Sequence, residues 1–562
     1  MAATYEIVVA LADALAGAGM RHVTISPGSR STPLAITFAR HPAIRHWIHH
    51  DERSAAFFAL GIAKTTGYPA GVITTSGTAT AELYPAVIEA RFGRAPLVLL
   101  TADRPPALRG TGANQTIDQV ALYGNNVKWF HDAPLPSDTS PDETAELARR
   151  AMEAATTSPA GPVHLNLPFA EPLIPQGSPP AATVDGVPPA TTRPGPGLSD
   201  AAVSDLAERL SAQRSLIAVG PHGSPRQTDA VVALAAASGA PILADPLSGL
   251  RAGPHDRSHV IGHYDSLAQA GFFDAEPPDA IIRLGPAPVS KALNTWIAAH
   301  PAVDYTIVDT MPWADAGGTA RSVFKADPAA AAGQLAGLVT DGPAEWMARW
   351  RLADSTAAAA LHDASSPFTE LDLVAAVLDA APDPATIWVG SSMPVRQVDL
   401  LMGPTPRRLR ILGNRGASGI DGLVSAALGS AAASGEETIA LLGDLSLLYD
   451  LTALAWAGRD RPDVTLVVAN NDGGGIFHLL PQAPLPEFEE LFGTPHGLDF
   501  SHAAALFDIP YHLIGGRDDL ADVLRRPASG PRLIEARFER SAGATAYRAA
   551  VDRVRAALAT DN

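Results

Sequence analysis

Two polar residues that follow apolar runs could together hold a metal ion. Asp444 follows the run from Thr438 to Leu442, and Asn471 follows the β-branched run from Val464 to Ala469. An apolar stretch from Leu447 to Ala457 is long enough for a buried helix, which predicts a βαβ unit with parallel strands. The carboxyl ends of such strands meet at one edge of the sheet, where open α/β sheets bind ligands.

The oxygen atoms expected at that edge suit a hard cation. The Asp444 carboxylate, the Asn471 amide oxygen and a carbonyl from the glycine loop would suit Mg²⁺, which shares its shell with water and substrate phosphates. Gly473, Gly474 and Gly475 would let backbone N–H groups approach a diphosphate. The alternative interpretation is an ordinary βαβ unit with a polar strand end.

The composition describes a globular chain without thiol chemistry. Of the 562 residues, 46% are hydrophobic and 18% are charged, which fits about three or four domains. Cys is absent, so disulfides and thiolate nucleophiles are excluded. No apolar run approaches the ~18 residues of a membrane span, and the acidic N-terminal stretch is unlike a signal peptide. We therefore expect a cytoplasmic protein.

The net charge of −18 bears on the partners of the protein. It argues against binding to nucleic acid, whose backbone is also negative. An anionic substrate would need a local cluster of basic residues to overcome the general field.

The order of apolar runs predicts an α/β fold of three consecutive open parallel-sheet domains. The domains are expected over residues 1–180, 198–350 and 367–562, with linkers after Leu167 and from about 353 to 366. No sequence repeat relates the three domains, and the middle one lacks a G-x-G-x-x-G fingerprint. Besides the two runs above, strands are predicted over Val23–Ser26, Gly71–Thr75, Leu97–Thr101, His164–Leu167, Leu216–Val219, Pro241–Ala244, Ala280–Leu284, Tyr305–Val308, Ile387–Gly390, Leu409–Leu412 and Leu533–Phe538.

The spacing of Gly-Asp, helix and Asn-Asn resembles the diphosphate motif of thiamine diphosphate enzymes. The resemblance implies that Asp444, Asn471 and the carbonyl of Gly473 hold the metal. The usual motif has Gly where this chain has Leu445, so backbone freedom after the Asp is reduced. Asp472 replaces an expected Asn, and we expect its side chain to point away from the metal. The cofactor-binding residues implied are Glu52, Gly443, Asp444, Leu445, Ser446, Asn471, Gly473, Gly474, Gly475, Ile476, Ser418 and Ile420.

Glu52 precedes a predicted apolar helix from Ala55 to Ala63. Alone, such a residue is often only a favourable charge in the first helical turn. In thiamine diphosphate enzymes a glutamate at this place hydrogen-bonds the aminopyrimidine ring and promotes its imino tautomer. The resemblance therefore implies a catalytic role for Glu52, and apolar surroundings would raise the pKa of its carboxyl group as that role requires.

Further motifs narrow the resemblance to the menaquinone-pathway carboligases of this family. They are SPGSRSTPL, HHDERSAAFFALG, TTSGTATAELYPAVIEA, TADRPP, GANQTI, NRGASGIDG and GGGIFHLLP, spread along nearly the whole chain. Members of that branch decarboxylate 2-oxoglutarate and add the resulting four-carbon unit in a 1,4 sense to isochorismate. The resemblance is weakest in the linkers and the middle domain.

Both substrates are dicarboxylates, and the resemblance implies a set of cations and donors that bind them. The guanidinium fork of Arg suits a carboxylate because it donates two parallel hydrogen bonds. The implied substrate-binding residues are Ser29, Arg30, Arg104, Asn114, Gln115, Lys291, Ser392, Arg396, Arg415 and Phe477. Without the resemblance, the loop at Ser29 would be a helix cap and Lys291 a solvated lysine. Ile420, implied to lie under the cofactor, and Phe477 could equally be core residues.

The resemblance also implies an assembly and a metal. In this superfamily one active site draws on two subunits, so a homodimer is the minimum and a homotetramer is plausible. Mg²⁺ is the expected ion, with Mn²⁺ as an alternative. Competing functions are another thiamine diphosphate 2-oxoacid decarboxylase, an acetolactate-type carboligase and, more distantly, a non-catalytic regulatory homologue.

Overall fold

A computed structural model describes residues 2–175, 193–311, 314–362 and 367–560. Its strands are β1 His22–Ile25, β2 Arg45–Ile48, β3 Ala70–Thr74, β4 Leu97–Asp103, β5 Trp129–Asp132, β6 Val163–Pro168, β7 Ser215–Val219, β8 Ile242–Ala244, β9 Val260–Ile261, β10 Ala280–Leu284, β11 Asp304–Asp309, β12 Ser322–Lys325, β13 Ala385–Val389, β14 Leu409–Leu412, β15 Thr438–Gly443, β16 Val464–Asn470, β17 Tyr511–Ile514 and β18 Arg532–Arg537.

Helices connect the strands throughout the described chain. They are α1 Ala2–Gly17, α2 Thr32–Arg40, α3 Glu52–Thr66, α4 Thr78–Ala81, α5 Tyr84–Phe92, α6 Pro141–Thr156, α7 Asp200–Leu210, α8 Pro225–Ser238, α9 Tyr264–Ala270, α10 Phe272–Ala275, α11 Lys291–Ala299, α12 Pro328–Ala336, α13 Ala344–Leu361, α14 Glu370–Ala380, α15 Met393–Leu401, α16 Leu423–Ser434, α17 Asp444–Tyr449, α18 Ala453–Asp460, α19 Phe500–Leu506, α20 Arg517–Leu524 and α21 Arg540–Thr560. Short 3₁₀-helices cover Pro106–Leu108, Gly124–Asn126, Pro136–Asp138, Pro246–Ser248 and Gly475–Leu479, and a π-helical turn covers Glu489–Gly493.

The strands form three six-stranded sheets in which every pair is parallel, which confirms the predicted fold class. The first sheet has the order β2-β1-β3-β4-β6-β5, and the third has the equivalent order β14-β13-β15-β16-β18-β17. The middle sheet has the order β9-β8-β7-β10-β11-β12, which is that of doubly wound nucleotide-binding sheets.

At the switch point of the middle sheet, the backbone after β7 closely approaches the backbone after β10. A Cβ atom added at Gly220, just after β7, would lie 1.9 Å from the carbonyl oxygen of Pro286, which follows β10. Only a glycine therefore fits at this position.

The chain divides into two compact units, each with its own packed interior. The first comprises Met1–Arg193, Asn414–Gly435 and Leu448–Pro462, and the second comprises Pro194–Gly413, Glu436–Leu447 and Asp463–Asn562. Helix α16 precedes β15 in sequence and α18 follows α17, yet both helices pack in the first unit. Among the described residues, none of the helices is both long and apolar enough to cross a membrane.

Two predicted segments differ in the structure. The single helix predicted over Leu447 to Ala457 is two helices, α17 and α18, because residues 450–452 form a turn. The linker predicted from 353 is helical as far as Leu361, since Ala353, Ala357 and Leu361 pack into the core on one face of α13. The predicted boundary at 180 and the linker residues 363–366 lie outside the described residues.

Candidate active site

The ends of β15 and β16 lie side by side, as the sequence predicts. These strands are parallel neighbours in which Leu442 pairs with Val468 and Gly443 pairs with Ala469. Asp444 and Asn471, which follow them, are both buried. The two side chains therefore emerge at the same edge of the third sheet.

Asp444 connects this edge to the glycine loop. Its Oδ2 accepts a hydrogen bond from the backbone N–H of Gly473 at 2.8 Å, and its Oδ1 accepts one from the N–H of Leu445 at 2.7 Å. Nε2 of His496 lies 3.2 Å from the same Oδ2. Asp444 and Gly473, two of the predicted metal ligands, are thus in direct contact.

Asn471 presents an unused oxygen. Its Nδ2 donates to Oε1 of Glu370 at 2.7 Å, which fixes the orientation of the amide. Oδ1 of Asn471 is buried and has no hydrogen-bond partner among the described residues. A buried acceptor without a partner costs free energy unless another group, such as a cation, satisfies it.

Glu370, which the sequence analysis missed, fixes that amide. It is the first residue of α14 and is almost fully buried, and its other oxygen accepts a hydrogen bond from Nε2 of Gln397 at 2.9 Å. Burial raises the pKa of Glu370, and the charge of Asp444 adds to the rise. The only local signal was an acidic residue at a helix start, which is too common to indicate a site.

The glycine loop is packed too closely for any other residue type at two positions. A Cβ atom at Gly473, which has φ of +131°, would lie 1.9 Å from the carbonyl oxygen of Gly493. One at Gly474 would lie 2.2 Å from the carbonyl oxygen of Phe492, and the Gly474 N–H donates to Gly493 at 2.8 Å. The loop therefore rests on the residues just before Thr494.

The two departures from the family motif have structural explanations. Leu445 is the second residue of α17, and its φ is not positive, so this position does not require a glycine. The carboxylate of Asp472 accepts hydrogen bonds from the N–H groups of His496 and Gly497, at 2.9 and 2.7 Å. That side chain is therefore engaged by the following loop, and its exclusion from the metal site stays a prediction.

Glu52 begins α3 and lines a cleft of about 680 Å³ in the first unit. Burial raises the pKa of its carboxyl group, and the nearby carboxylates of Asp51 and Glu82 raise it further. Asp51 caps the helix by accepting a hydrogen bond from the N–H of Ser54 at 3.2 Å. The cleft is lined by Pro27, Asp51, Glu52, Arg53, Thr75, Thr78, Ala79, Glu82 and Gln115.

The predicted substrate residues of the first sheet gather near β4. The Arg104 guanidinium donates to the carbonyl of Asn114 at 3.3 Å, and Nε2 of Gln115 donates to the carbonyl of Ser76 at 3.0 Å. Arg30 is buried, and burial together with the charge of Arg104 lowers its pKa. The nearby carboxylates of Glu171 and Asp103 act in the opposite direction on the pKa of Arg30.

Arg30 also has partners within the protein, which the sequence did not predict. Its Nη1 donates to the carbonyl of Phe169 at 2.8 Å, and its Nη2 lies 3.1 Å from Oε1 of Glu171. Ser29, its neighbour, is exposed. The loop is thus held to the residues after β6, and the Glu171 carboxylate would compete with a substrate for Arg30.

Backbone N–H groups of the loop before α16 donate hydrogen bonds to a buried carboxylate. The N–H groups of Gly416 and Ala417 donate to the two oxygens of Glu89 at 2.8 and 2.7 Å, and Lys64 contacts Glu89 at 2.7 Å. Arg415, Ser418 and Ile420 on this loop are all half-buried. Ile420 is consequently neither a core residue nor fully exposed.

The remaining predicted residues lie in the second unit. Lys291 is the exposed first residue of α11, and Ser392 precedes α15 with a φ of +73° that is strained for a non-glycine residue. The guanidinium of Arg396 donates to the Ser392 carbonyl. Gly443, Leu445 and Ser446 surround Asp444, while Gly475, Ile476 and Phe477 begin the 3₁₀-helix after the glycine loop. The roles of all these residues stay predictions.

A buried polar network behind the cleft was not predicted. Gln119 accepts a hydrogen bond from the N–H of Gly77 at 2.9 Å and donates to Oδ1 of Asn166, also at 2.9 Å. Asn166 donates to Asp103 and Asp132, and Arg109 contacts both of these carboxylates. This network fixes the carboxyl ends of β4, β5 and β6, but its members are widely spaced in sequence, so no local pattern indicated it.

Comparisons with known proteins agree with this geometry. The family model "Thiamine pyrophosphate enzyme, N-terminal TPP binding domain" matches residues 6–122, and "Thiamine pyrophosphate enzyme, C-terminal TPP binding domain" matches residues 401–536. A crystal structure of benzoylformate decarboxylase from Polynucleobacter necessarius has a TM-score of 0.73, covering 96% of this chain and 99% of that one at 17% identity. The fold and the two matched regions define a thiamine pyrophosphate enzyme.

Sequence relatives define the branch. A protein of Chloroflexus aurantiacus named 2-succinyl-5-enolpyruvyl-6-hydroxy-3-cyclohexene-1-carboxylate synthase is 44% identical to this chain, over 95% of this chain and 93% of the relative. Proteins of the same name from Haloquadratum walsbyi and Geobacillus kaustophilus are each 42% identical to this chain. The match covers 90% of this chain and of the relative in the first case, and 96% of each in the second. The chain belongs to the 2-succinyl-5-enolpyruvyl-6-hydroxy-3-cyclohexene-1-carboxylate synthase family, which confirms the branch indicated by its motifs.

Proposed function

We propose that this enzyme decarboxylates 2-oxoglutarate and adds the remaining four-carbon unit 1,4 to isochorismate, with thiamine diphosphate and Mg²⁺ as cofactors. The products would be carbon dioxide and 2-succinyl-5-enolpyruvyl-6-hydroxy-3-cyclohexene-1-carboxylate, an intermediate of menaquinone biosynthesis. The observation that carries this proposal is the uniform name of relatives that match at 41–44% identity along nearly the whole chain.

The donors after β15 and β16 fit a divalent cation and a diphosphate. Asp444, Oδ1 of Asn471 and the carbonyl of Gly473 would hold Mg²⁺, and Mn²⁺ prefers the same kind of oxygen ligand. The unpartnered Oδ1 of Asn471 supports this assignment, because Glu370 occupies only the amide nitrogen. The bound thiamine diphosphate would supply an electron sink for the pair released when a 2-oxo acid loses carbon dioxide.

Glu52 would hold and move the proton at the aminopyrimidine ring. A carboxyl group serves best as a general acid and base when its pKa approaches the working pH. The rise in the Glu52 pKa from burial, Asp51 and Glu82 is in that direction. The carboxyl group lines a cleft rather than the core, so a ring nitrogen could reach it.

Basic residues would bind the two dicarboxylate substrates. The positive charges of Arg30 and Arg104 would attract a substrate carboxylate, which would compete with Glu171 for Arg30, and each charge-assisted hydrogen bond contributes roughly 1.5–3 kcal/mol. Asn114, Gln115, Lys291, Ser392, Arg396 and Arg415 would supply the remaining contacts. These residues give the site a positive local field in a chain whose net charge is −18.

We also propose that the enzyme works as a homodimer or a homotetramer, as the family resemblance implies. Sedimentation of the purified protein should then give a mass at least twice that of the 58.2 kDa chain.

Turnover with defined substrates tests the reaction. The protein is incubated with thiamine diphosphate, Mg²⁺ and 2-oxoglutarate, with or without isochorismate, while carbon dioxide and the adduct are measured. We expect fast carbon dioxide release only when isochorismate is present, with one adduct formed per carbon dioxide. Equal release without isochorismate, or the same rate with pyruvate, would instead indicate a simple decarboxylase or an acetolactate-type carboligase.

A further inference from the structure

The turn between α17 and α18 lies against the beginnings of two other helices in the first unit. The predicted helix through this segment is interrupted at residues 450–452. Helix α3 begins at Glu52, and α16 begins just after the loop that carries Ser418 and Ile420. The polar side chains of the turn contact both helix starts.

Asp450 caps α16 from another part of the chain. Its Oδ2 accepts a hydrogen bond from the N–H of Ser425 at 2.7 Å, and its Oδ1 accepts one from the Ser425 hydroxyl at 3.0 Å. Ser425 is the third residue of α16, and the N–H group at this position normally donates to the side chain of the N-cap residue. Here the N-cap residue is Gly422, which has no side chain, so Asp450 takes its place. The Asp450 carboxylate also places negative charge at the positive end of the helix.

The same turn holds the beginning of α3. The Ser54 hydroxyl donates to Oδ1 of Asp450 at 3.4 Å, and the Thr452 hydroxyl donates to Oδ2 of Asp51 at 2.6 Å. The Arg53 guanidinium donates to the carbonyl of Tyr449 at 2.9 Å. Asp51, Arg53 and Ser54, the residues around Glu52, are therefore all held by the segment that contains Asp450.

Farther along, α3 and α16 pack with almost no space between their backbones. A Cβ atom at Gly61 would lie 2.0 Å from the carbonyl oxygen of Ala426, and one at Gly429 would lie 2.0 Å from that of Phe58. Glycines thus fix the middle of the helix pair, and Asp450 fixes its beginning. A shift of the start of α3 would therefore move Glu52.

We propose that Asp450 is a positioning residue of the active site, which holds the start of α3 against the start of α16 so that Glu52 keeps one geometry toward the cofactor. The inference rests on the proposed function of Glu52. Asp450 is buried and bonded to Ser54 and Ser425, so it acts through Glu52 and not on the substrate.

Exchange of the C2 proton of bound thiamine diphosphate with deuterium tests the proposal without any substrate. The rate is measured by NMR on the wild-type holoenzyme and on Asp450→Asn, with saturating cofactor and Mg²⁺. We expect Asp450→Asn to slow exchange by at least about tenfold, as a partly disabled general base would, while the Kd for the cofactor changes little. A purely structural role would lower stability and leave the exchange rate of the bound cofactor unchanged.

The matched control removes another buried carboxylate that caps a helix. Asp327 accepts a hydrogen bond from the N–H of Ala330 at 2.9 Å at the start of α12, and it also contacts Arg226. Asp327→Asn should leave C2 exchange at the wild-type rate. An equal loss in both variants would contradict a specific role for Asp450.

A double-mutant cycle with Glu52→Gln shows whether the two residues act together. If Asp450 acts only through Glu52, adding Asp450→Asn to Glu52→Gln should slow exchange no further. Multiplicative losses would overturn the inference. A wild-type enzyme that fails to accelerate C2 exchange over free cofactor would overturn the proposed function itself, and the two failures are therefore distinguishable.

A second variant keeps the test decisive if Asp450→Asn does not fold. Ser54→Ala removes a single hydroxyl and leaves the cap on α16 intact. We expect slower C2 exchange in the holoenzyme and, without cofactor, faster amide hydrogen exchange in residues 52–58 than in the wild type. Wild-type behaviour in both measurements would refute the connection between this turn and Glu52.

Discussion

At the residue scale, the site depends on which hydrogen-bond partner each buried polar atom has. The three predicted metal ligands occupy one edge of the third sheet, and Asp444 bonds Gly473 directly. Asn471 shows the principle most clearly, because Glu370 takes its amide nitrogen and leaves its oxygen buried without a partner. Residue types and spacing were enough to predict that Asp444 and Asn471 emerge at one edge of the sheet. Glu370 and Gln119 act through contacts between distant segments, which one sequence does not reveal.

The role of Glu370 can be tested by Glu370→Gln. A glutamine can donate as well as accept, so the amide of Asn471 would no longer be held in one orientation. Since residues that orient metal ligands typically contribute 10–100-fold to affinity, we expect the Kd for Mg²⁺ to rise by about tenfold or more in calorimetric titrations with thiamine diphosphate. Asp499→Asn, at an exposed helix start, is the control. Unchanged Mg²⁺ affinity in Glu370→Gln would remove Glu370 from the site.

Asp450 predicts a pH dependence of stability. Burial raises the pKa of its carboxyl group to about 6, although bonds from Ser425 and the charge of Arg53 oppose the rise and Asp51 adds to it. The folded protein therefore binds this proton more tightly than the unfolded chain, so the protonated group stabilises the fold at low pH. That stability is lost as the pH rises through about 6.

The comparison with Asp450→Asn, which does not titrate, isolates this effect. The free energy of unfolding of the wild type, minus that of the variant, should fall by roughly 2–3 kcal/mol between pH 4 and pH 7. Denaturant unfolding at several pH values measures it. A difference that stays constant over this range would mean that the carboxyl group keeps an ordinary pKa.

At the element scale, the helix pair α3 and α16 depends on glycines that admit backbone contact. Gly61→Ala would place a methyl group 2.0 Å from the Ala426 carbonyl oxygen, which forces the helices apart. We expect a loss of about 1–3 kcal/mol in the free energy of unfolding. Gly333→Ala, in α12 with open space around it, should instead stabilise the protein by roughly 0.5–1 kcal/mol. A Gly61→Ala variant as stable as the wild type would contradict the packing described.

The apolar runs predicted the central strands and missed five of the six edge strands. The five strands that were not predicted, β2, β5, β9, β12 and β17, each lie at the edge of a sheet. These five strands have two to four residues, and all except β9 are partly exposed, so they lack the continuous apolar run of a buried parallel strand. The break between α17 and α18 was missed for a different reason: Asp450 and Thr452 are held by residues that are distant in sequence.

At the scale of the whole molecule, the first and third sheets share one topology. The first and third sheets have equivalent strand orders, although no sequence repeat relates them. Asp444 follows the third strand of its sheet, and Thr75, which lines the cleft together with Glu52, follows the third strand of the first sheet. The two predicted sites thus lie at the same topological position of their sheets.

The association of segments into units could not be predicted in this way. Residues 414–435 and 448–462 belong to the third domain in sequence, yet they pack in the first unit. The reason is physical, because the glycines of α3 and α16 make a contact that has no signature in either segment alone. For the same reason Asp450 was not a candidate until the structure was known.

The position of the metal in the holoenzyme tests the central claim most directly. A high-resolution crystal structure with thiamine diphosphate and Mg²⁺ should show the ion about 2.0–2.1 Å from an oxygen of Asp444, Oδ1 of Asn471 and the carbonyl oxygen of Gly473. The remaining positions should be filled by diphosphate oxygens and water. A metal bound elsewhere, with Oδ1 of Asn471 left without a ligand, would contradict this account.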